Sequence, residues 1–221
     1  MNNMKSKFSG LTGAQLKWIA MITMVVDHVG AVLFPEQMIF RYIGRLSFPI
    51  FCFLLVEGFV HTSNIYRYIF RLSVFALISE IPYDLTFSQQ LMDFERQNVF
   101  FTLSLGIGTL YLLKYTQSNV EKWIYVAFAM LFAEMMKSDY GAFGIALILW
   151  FYYMYDDKSW KLFGGAVWNF YGGIGIQSYG AFAMIPIGLY NGKRGRQMKY
   201  FFYLFYPVHL LILFQCHRYF L

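Results

Sequence analysis

The run LKWIAMITMVVDHVGAVLF, residues 16–34, decides the fold class of this chain. A helix of about 20 mainly apolar residues crosses the hydrocarbon core of a bilayer. Backbone polar groups in lipid must be hydrogen-bonded within the protein, which a helix achieves alone. The run therefore predicts a transmembrane helix, and it carries two ionisable residues, Asp27 and His28, in its interior.

The composition of the whole chain agrees with a membrane protein. Of the 221 residues, 58% are hydrophobic and 14% are charged, whereas a soluble domain has about 45–50% apolar and about 25% charged residues. Water could not solvate such a surface, which excludes a soluble enzyme and a disordered chain. The net charge of +6 comes from short basic clusters between apolar runs. It indicates membrane topology, and we expect no nucleic-acid partner.

Further apolar segments follow the first run along the chain. They cover residues 43–60, 68–82, 99–113, 123–136, 140–155, 162–192 and 200–216. The segment 162–192 is too long for one ordinary span, and the glycines at 172, 173 and 175 divide it into two short helices. The sequence therefore predicts an all-α, polytopic integral membrane bundle of about nine transmembrane helices (eight to ten). We expect one domain over residues 1–221, surrounded by the lipids of a bacterial cytoplasmic membrane.

The distribution of Lys and Arg predicts the orientation of the bundle, because basic residues are enriched in cytoplasmic connections. With the N-terminus inside, 13 basic residues are cytoplasmic and five are outside. The inner residues are Lys5, Lys7, Lys17, Arg67, Arg71, Lys114, Lys122, Lys158, Lys161, Lys193, Arg194, Arg196 and Lys199. The outer residues are Arg41, Arg45, Arg96, Lys137 and Arg218. We therefore expect the N-terminus and residues 193–199 to face the cytoplasm and residues 83–97 to face outward.

Ionisable side chains lie inside several apolar runs, where one charge costs about 2.5–3.5 kcal/mol on insertion scales. They are Asp27, His28, Glu57, Arg71, Glu80, Glu134 and His209, with Arg45 near an outer helix end. Several helices thus place polar groups at a similar depth in the outer half. One hypothesis is a reaction centre with a histidine base, and the alternative is a set of buried ion pairs that join the helices. Arg71 and Glu57, both toward the inner side, are predicted to form a structural pair or a gate.

Two local patterns leave their roles open. Neighbours on a helix point about 100° apart, so a carboxylate on another helix could orient His28 in place of Asp27. The basic run at residues 191–199 is explained by topology alone. It could also bind anionic lipid headgroups or the phosphates of a cofactor. Cys52 and Cys216 are not spaced as a zinc site, and we expect no metal.

Six segments spread along nearly the whole chain resemble the TraX family. They are MVVDHVG (24–30), GRLSFPIFCFLLVEGFVHT (44–62), RLSVFALISEIPYD (71–84), QNVFFTLSLG (97–106), DYGAFG (139–144) and YPVHLL (206–211). TraX-like proteins are polytopic inner-membrane proteins named for acetylation of the N-terminal amine of conjugative pilin. They are similar to membrane acyltransferases that carry acetyl groups from cytoplasmic acetyl-CoA to acceptors across the membrane.

This resemblance implies a membrane-bound, acetyl-CoA-dependent acyltransferase. Its acceptor would be an amine or hydroxyl on a pilin-like or other small peptide, a sugar or a lipid headgroup. In the related acyltransferases a membrane-embedded histidine is essential and an arginine lies nearby; His28 and Arg45 match these residues. No Ser-His-Asp nucleophile motif is present, which favours direct transfer over an acyl-enzyme.

The resemblance and the chemistry together assign predicted roles. His28 is the predicted general base, assisted by Asp27 or Glu80, while Arg45 positions substrate or stabilises charge. His209 is predicted to be a second proton-handling group. The residues predicted to bind substrate are Glu57, Asp84, Asn98 and Asp139. The residues predicted to bind the cofactor are Arg71, Lys193, Arg194 and Arg196.

Two other functions use the same residues. A small proton-coupled transporter would employ the buried acids and histidines as a relay, although the sequence lacks the matching halves that many transporters have. A non-catalytic membrane assembly factor for small secreted peptides is the third hypothesis.

Overall fold

The computed structural model describes residues 10–173, 175–196 and 199–220. Every regular element in these ranges is a helix, and the only β-type contacts there are two isolated bridges, Leu11–Tyr190 and Gln97–Ser138. The prediction of an all-α fold is therefore confirmed. Some residues of the predicted domain lie outside the described residues: 1–9, 174, 197, 198 and 221. They include Lys5 and Lys7, which the topology prediction used.

Ten α-helices and two short helical segments of other types follow one another along the chain. They are α1 (Gly13–Leu33), α2 (Met38–Gly44), α3 (Ser47–His61), α4 (Ile65–Phe87), α5 (Val99–Tyr115), α6 (Asn119–Met135), α7 (Gly141–Tyr153), α8 (Lys158–Val167), a π-helix (Trp168–Gly172), a 3₁₀ helix (Gly175–Ala183), α9 (Met184–Gly188) and α10 (Lys199–Phe220).

Polar residues at the helix starts explain several of these boundaries. Thr12 and Gln15 form a capping box at the start of α1, in which each side chain bonds an otherwise unpaired backbone N–H. Asn64, Asn98 and Asp157 accept backbone N–H groups at the starts of α4, α5 and α8 in the same way. Polar side chains thus fix where these four helices begin.

The connections gather at two opposite ends of the bundle. The first end comprises residues 10–12, 62–64, 116–118, 154–157 and 189–196. The second end comprises residues 34–37, 88–98 and 136–140. At the first end the N–H of Leu11 bonds the carbonyl of Leu189 at 2.7 Å, and at the second end the N–H of Asp139 bonds the carbonyl of Gln97 at 2.8 Å. Backbone pairing between connections therefore holds each end together.

The helix predicted over residues 43–60 is divided in two. A turn at Arg45 and Leu46 separates α2 from α3. Pro49 lies in the first turn of α3, where its missing N–H has no intrahelical partner to lose. A continuous helix would instead leave the carbonyl of Arg45 unpaired, so Pro49 is the sequence signal for this break.

The two arms predicted within residues 162–192 are present, but their conformations differ from ordinary α-helix. The first arm begins earlier, at Lys158, and ends as a π-helix, while the second arm is mainly a 3₁₀ helix. The side chain of Gln177 donates to that of Asn169 at 3.1 Å. This bond between buried amides joins the two arms where the backbone geometry is irregular.

Within the described ranges, three helical stretches are long and apolar enough to cross a membrane: Gly13–Leu33, Met38–His61 and Tyr200–Tyr219. Val99–Tyr115 and Gly141–Tyr153 are apolar but shorter. The fully buried side chains of Phe48, Ile145 and Leu210 belong to the interior of the bundle, whereas α6 has large apolar side chains on its outer surface. The count of nine spans and the cytoplasmic N-terminus stay predictions.

Chemical labelling of single cysteines will test the orientation. In a Cys216→Ser background, Gln90→Cys places a thiol at the second end and Arg196→Cys places one at the first end, both at exposed positions. Cys52 is buried and can stay. An impermeant maleimide is expected to label residue 90 in intact cells, and residue 196 only after permeabilisation. The reverse pattern would show that the bundle is inserted the other way.

Candidate functional site

Two histidines from opposite ends of the sequence meet between α1 and α10. Nδ1 of His28 lies 2.8 Å from Nε2 of His209. The second ring nitrogen of His209, Nδ1, lies 2.9 Å from the carbonyl oxygen of Phe205, one turn earlier in α10. The sequence singled out both histidines, and the structure brings them into direct contact.

Aromatic rings surround this histidine pair. Phe87 of α4 and Tyr206 of α10 present ring edges to His28, with centroids at 5.3 and 6.2 Å. The ring of Phe205 stacks on His209 at 5.0 Å. The pair therefore lies in an apolar environment, where hydrogen bonds are stronger than in water.

Asp27 does not orient His28, contrary to one prediction. Its carboxylate Oδ2 forms ion pairs with Arg41, at 3.0 Å, and with Arg45. Gly44 packs against the Asp27 side chain so closely that a Cβ atom there would overlap it. The missing side chain at Gly44 thus lets α2 approach α1 closely enough for both arginines to reach Asp27.

The ion pairs of Asp27 continue toward α7. Nη1 of Arg45 donates to the hydroxyl of Tyr140 at 3.2 Å, and the Tyr140 ring stacks on Phe48 with a centroid distance of 3.6 Å. Asp139 lies near Arg45 and Arg96; partial removal from water raises the pKa of its carboxyl, which both arginines oppose. We call Asp27, Arg41, Arg45 and Tyr140 the arginine cluster.

The predicted helper Glu80 also has another partner. Its carboxylate accepts a hydrogen bond from the Asn98 side chain, which donates in addition to the carbonyl of Ala76 at 2.8 Å. Asp84, one turn further along α4, accepts the backbone N–H of Asp93 at 2.9 Å. These residues therefore join α4 to α5 and to the connection at the second end. Glu134 lies apart from them, exposed, and accepts the N–H of Ala142 at 2.7 Å.

A cavity of about 590 Å³ opens at the first end between α1, α3, α4 and α10. Four basic residues are part of its wall: Lys17, Arg67, Arg71 and Arg194. Its deeper wall is apolar and includes Met24, Phe100, Phe205 and Tyr206. The cavity thus changes from a cationic mouth to an aromatic floor.

The structure separates the four predicted cofactor residues into two groups. Arg71 and Arg194 line the cavity, whereas Lys193 and Arg196 are exposed and lie outside its wall. In the sequence, Lys17 and Arg67 indicate only the topology. Their spacing from the other basic residues gives no hint of a shared wall, since this depends on how α1 and α4 pack.

Arg71 and Glu57 do not form the predicted structural pair, and their role as a gate stays a prediction. Glu57 lines the cavity but accepts a hydrogen bond from the Tyr190 hydroxyl at 3.2 Å and lies 3.7 Å from Nδ1 of His61. Arg71 instead lies 6.0 Å from the ring centroid of Tyr68. Its Nε is buried without a hydrogen-bond partner, so this guanidinium keeps donor capacity.

The floor of the cavity is also the wall of the histidine pair. Phe205 and Tyr206 line the cavity and contact His209 and His28 from the other side. Neither histidine is itself in the cavity wall. His28 lies eleven residues after Lys17, about 16 Å along α1 at 1.5 Å per residue. A ligand would need an arm of about that length to reach from the basic mouth of the cavity to the histidines.

The sequence matches the TraX protein family over residues 12–216. The chain belongs to the TraX family. A relative of this TraX protein in Dichelobacter nodosus, named probable fimbrial assembly protein FimC of serogroup H1, is 32% identical over 230 residues. The alignment covers 90% of this chain and 93% of that relative.

A second relative of this TraX protein is an uncharacterized protein of Rickettsia prowazekii (strain Madrid E). It is 28% identical over 155 residues, covering 66% of this chain and 58% of the relative. No solved structure matches the chain. The family and the three long apolar helices together indicate a membrane protein.

The described part of this TraX protein contains no group of three or more His, Cys, Asp or Glu side chains that could hold a metal ion. Cys52 is a buried free thiol and Cys216 a partly buried one. Four groups of polar residues have now been described: the histidine pair, the arginine cluster, the Glu80–Asn98 contact and the basic wall of the cavity.

Proposed function

We propose that this TraX protein is a multi-pass cell-membrane acetyltransferase. It would move an acetyl group from cytoplasmic acetyl-CoA, bound at the first end, to an amine or hydroxyl acceptor that arrives from the second end. The observation that carries the proposal is the shared aromatic wall, with a basic-mouthed cavity on one side and the His28–His209 pair on the other.

The residues of the cavity fit coenzyme A. Its phosphates need cations, and Lys17, Arg67, Arg71 and Arg194 supply them at the mouth. The buried, unpaired Nε of Arg71 is a donor of the kind that phosphate oxygens accept. The thioester arm is less polar than the nucleotide, and the apolar deeper wall suits it. Phe205 and Tyr206 would have to turn aside for the thioester to reach His28.

The proposed chemistry is direct transfer. Bound acetyl-CoA would supply the acetyl group as a thioester, whose carbon–sulfur bond breaks as the bond to the acceptor nitrogen or oxygen forms. His28 would take the proton from the attacking amine or hydroxyl and return it to the departing sulfur. Arg45 is already bound by Asp27 and Tyr140. We therefore assign it to holding α1, α2 and α7 in place rather than to the developing oxyanion.

The acceptor is proposed to be a small peptide of pilin type, because the relative in Dichelobacter nodosus is named a probable fimbrial assembly protein. Sugars and lipid headgroups carry the same nucleophilic groups. Carboxylates of Glu80, Asp84 and Asp139 at or near the second end are the proposed contacts for such an acceptor, together with Asn98.

The name of that relative also favours a second candidate, a non-catalytic assembly factor in the membrane. Purified protein in lipid vesicles separates the two. A transferase releases coenzyme A from acetyl-CoA when an acceptor is added and labels the acceptor with radioactive acetyl. An assembly factor binds the peptide but leaves acetyl-CoA intact.

Coenzyme A binding is expected to depend on the arginines of the cavity wall. Replacing Arg67 and Arg71 together by Gln removes two of the cations at the mouth, and the dissociation constant for coenzyme A should rise at least ~10-fold, since charge-assisted bonds to phosphate are worth about 1.5–3 kcal/mol. Isothermal titration calorimetry on protein in nanodiscs would measure it.

The matched control for the cavity is the pair Lys193→Gln and Arg196→Gln. It removes the same charge from the first end but from residues outside the cavity wall, and it should change binding less than ~3-fold at physiological salt, where screening is strong. Equal effects of the two double variants would mean that binding follows net charge rather than this cavity.

A further inference from the structure

The hydrogen bonds of the histidine pair determine which ring nitrogen carries each proton. The carbonyl of Phe205 can only accept, so the neighbouring Nδ1 of His209, at 2.9 Å, is the protonated nitrogen. In a neutral imidazole the other nitrogen is then a lone-pair acceptor. Nε2 of His209 therefore accepts a hydrogen bond from Nδ1 of His28 across 2.8 Å. The proton of His28 is on Nδ1, and its Nε2 is bare.

The ring geometry agrees with such a bond. The planes of His28 and His209 differ by only 8° and the centroids are 5.1 Å apart, while the bonded nitrogens are at 2.8 Å. The rings therefore meet edge to edge in nearly one plane, where the lone pair of an imidazole nitrogen lies. Within the described ranges, the hydrogen bond of His28 is made by Nδ1, and none involves its Nε2.

Contacts on α10 keep His209 in this position. Its side chain is buried, and its ring stacks on Phe205 at an angle of 15°. Thr86 of α4 donates to the carbonyl of Leu210 at 2.9 Å, next to His209. The His209 ring, whose Nε2 faces His28, is thus held in place by its packing.

We propose that His209 is a positioning residue, which holds His28 in the tautomer whose Nε2 is free to accept a proton. A carboxylate has this part in Ser-His-Asp triads, but here the carboxylate next to His28 in the sequence, Asp27, is bound by two arginines. A neutral imidazole does the same work without placing a charge in the membrane interior. The effect on catalysis rests on the proposed function. Positioning of His28 replaces proton handling as the role of His209.

The tautomer can be measured directly, without any transfer activity. Protein labelled with ¹⁵N-histidine gives separate signals for protonated and bare ring nitrogens, and His61→Gln and His217→Gln variants remove the other two histidines from the spectrum. His28 is expected to be protonated at Nδ1 only. In His209→Gln the amide oxygen can still accept, so the same tautomer should dominate; in His209→Phe, which keeps a stacking ring but no acceptor, both tautomers should be present.

The rates should follow the spectra. His209→Phe is expected to lower the acetyl-transfer rate at least ~100-fold, since loss of the correct tautomer in triads costs about 10⁴ in rate. The loss in His209→Gln should be smaller than the loss in His209→Phe by a factor of at least ~10. KM for acetyl-CoA should change little in either variant. A His28 protonated on Nε2 in the unaltered protein, or a His28 spectrum unaffected by His209→Phe, would overturn the inference. A correct tautomer in a protein without transferase activity would overturn only the proposed function.

Discussion

His28→Ala is expected to lower acetyl transfer at least ~100-fold while the protein still inserts, folds and binds coenzyme A. General-base catalysis contributes about 10²–10⁴ in rate, and no second base within the described residues is placed as His28 is, with one nitrogen held by His209 and the other without a partner. Coenzyme A binding should stay within ~3-fold, because His28 lies behind Phe205 and Tyr206 and outside the cavity wall. The measurement is the transfer rate beside the binding constant and the melting temperature.

Two other histidines provide the controls for His28→Ala. His61 is exposed at the first end beside Glu57, and His217 lies near the end of α10. Alanine at His217 should change the rate by less than ~5-fold, because His217 contacts neither the histidine pair nor the cavity. His61 lines the cavity, so alanine there can weaken coenzyme A binding but should leave the rate at saturating acetyl-CoA within ~5-fold. A folded His28→Ala protein with near-normal turnover would remove His28 from the mechanism.

Asp27→Ala is expected to destabilise the fold more than any other single substitution in the ion pairs. The Asp27 side chain is 8% exposed and faces Arg45, which is 12% exposed. Removing one partner of a buried pair leaves a charge without compensation and costs about 3–5 kcal/mol. The Arg41 side chain, which is 25% exposed, can reach water more easily. Most of the lost stability therefore comes from leaving the charge of Arg45 buried without its partner. Reversible unfolding in mixed micelles would measure it.

The contact between Lys137 and Glu95 is the matched control for Asp27→Ala. It is also an ion pair at the second end, with an Nζ–Oε2 distance of 2.7 Å, but its side chains are 51% and 79% exposed. Glu95→Ala should cost no more than about 1 kcal/mol, because exposed pairs are worth about 0–1 kcal/mol. Similar losses for both variants would show that Asp27 is not a buried structural anion.

The sequence predicted the all-α fold class, and it drew attention to the polar residues inside the helices but not to their partners. Helix α1, its Asp27–His28 pair and the paired arms in residues 162–192 all follow from apolar runs and glycines. The break between α2 and α3 was missed because residues 43–60 are almost uniformly apolar, and only Pro49 marks it. Hydrophobic periods predict helices but not the rotation of one helix against another.

For the same reason, the contacts of the polar residues could not be predicted. His28 and His209 are 181 positions apart, and only the packing of α1 against α10 pairs them. Asp27 pairs with arginines because Gly44 permits a close approach, which no charge pattern reveals. Arg67 belongs to the cavity wall through the rotation of α4, although its position in the sequence suggests only topology.

Acetyl transfer in sealed membrane vesicles tests the central claim most directly. Inverted vesicles from cells that carry the protein expose the cytoplasmic face, and right-side-out vesicles hide it. With radioactive acetyl-CoA in the medium, we expect labelled acceptor in inverted vesicles only, at a rate that falls at least ~100-fold with His28→Ala. Equal labelling in the two vesicle types, or labelling that does not depend on His28, would contradict a transferase whose donor enters at the first end and reacts at the histidine pair.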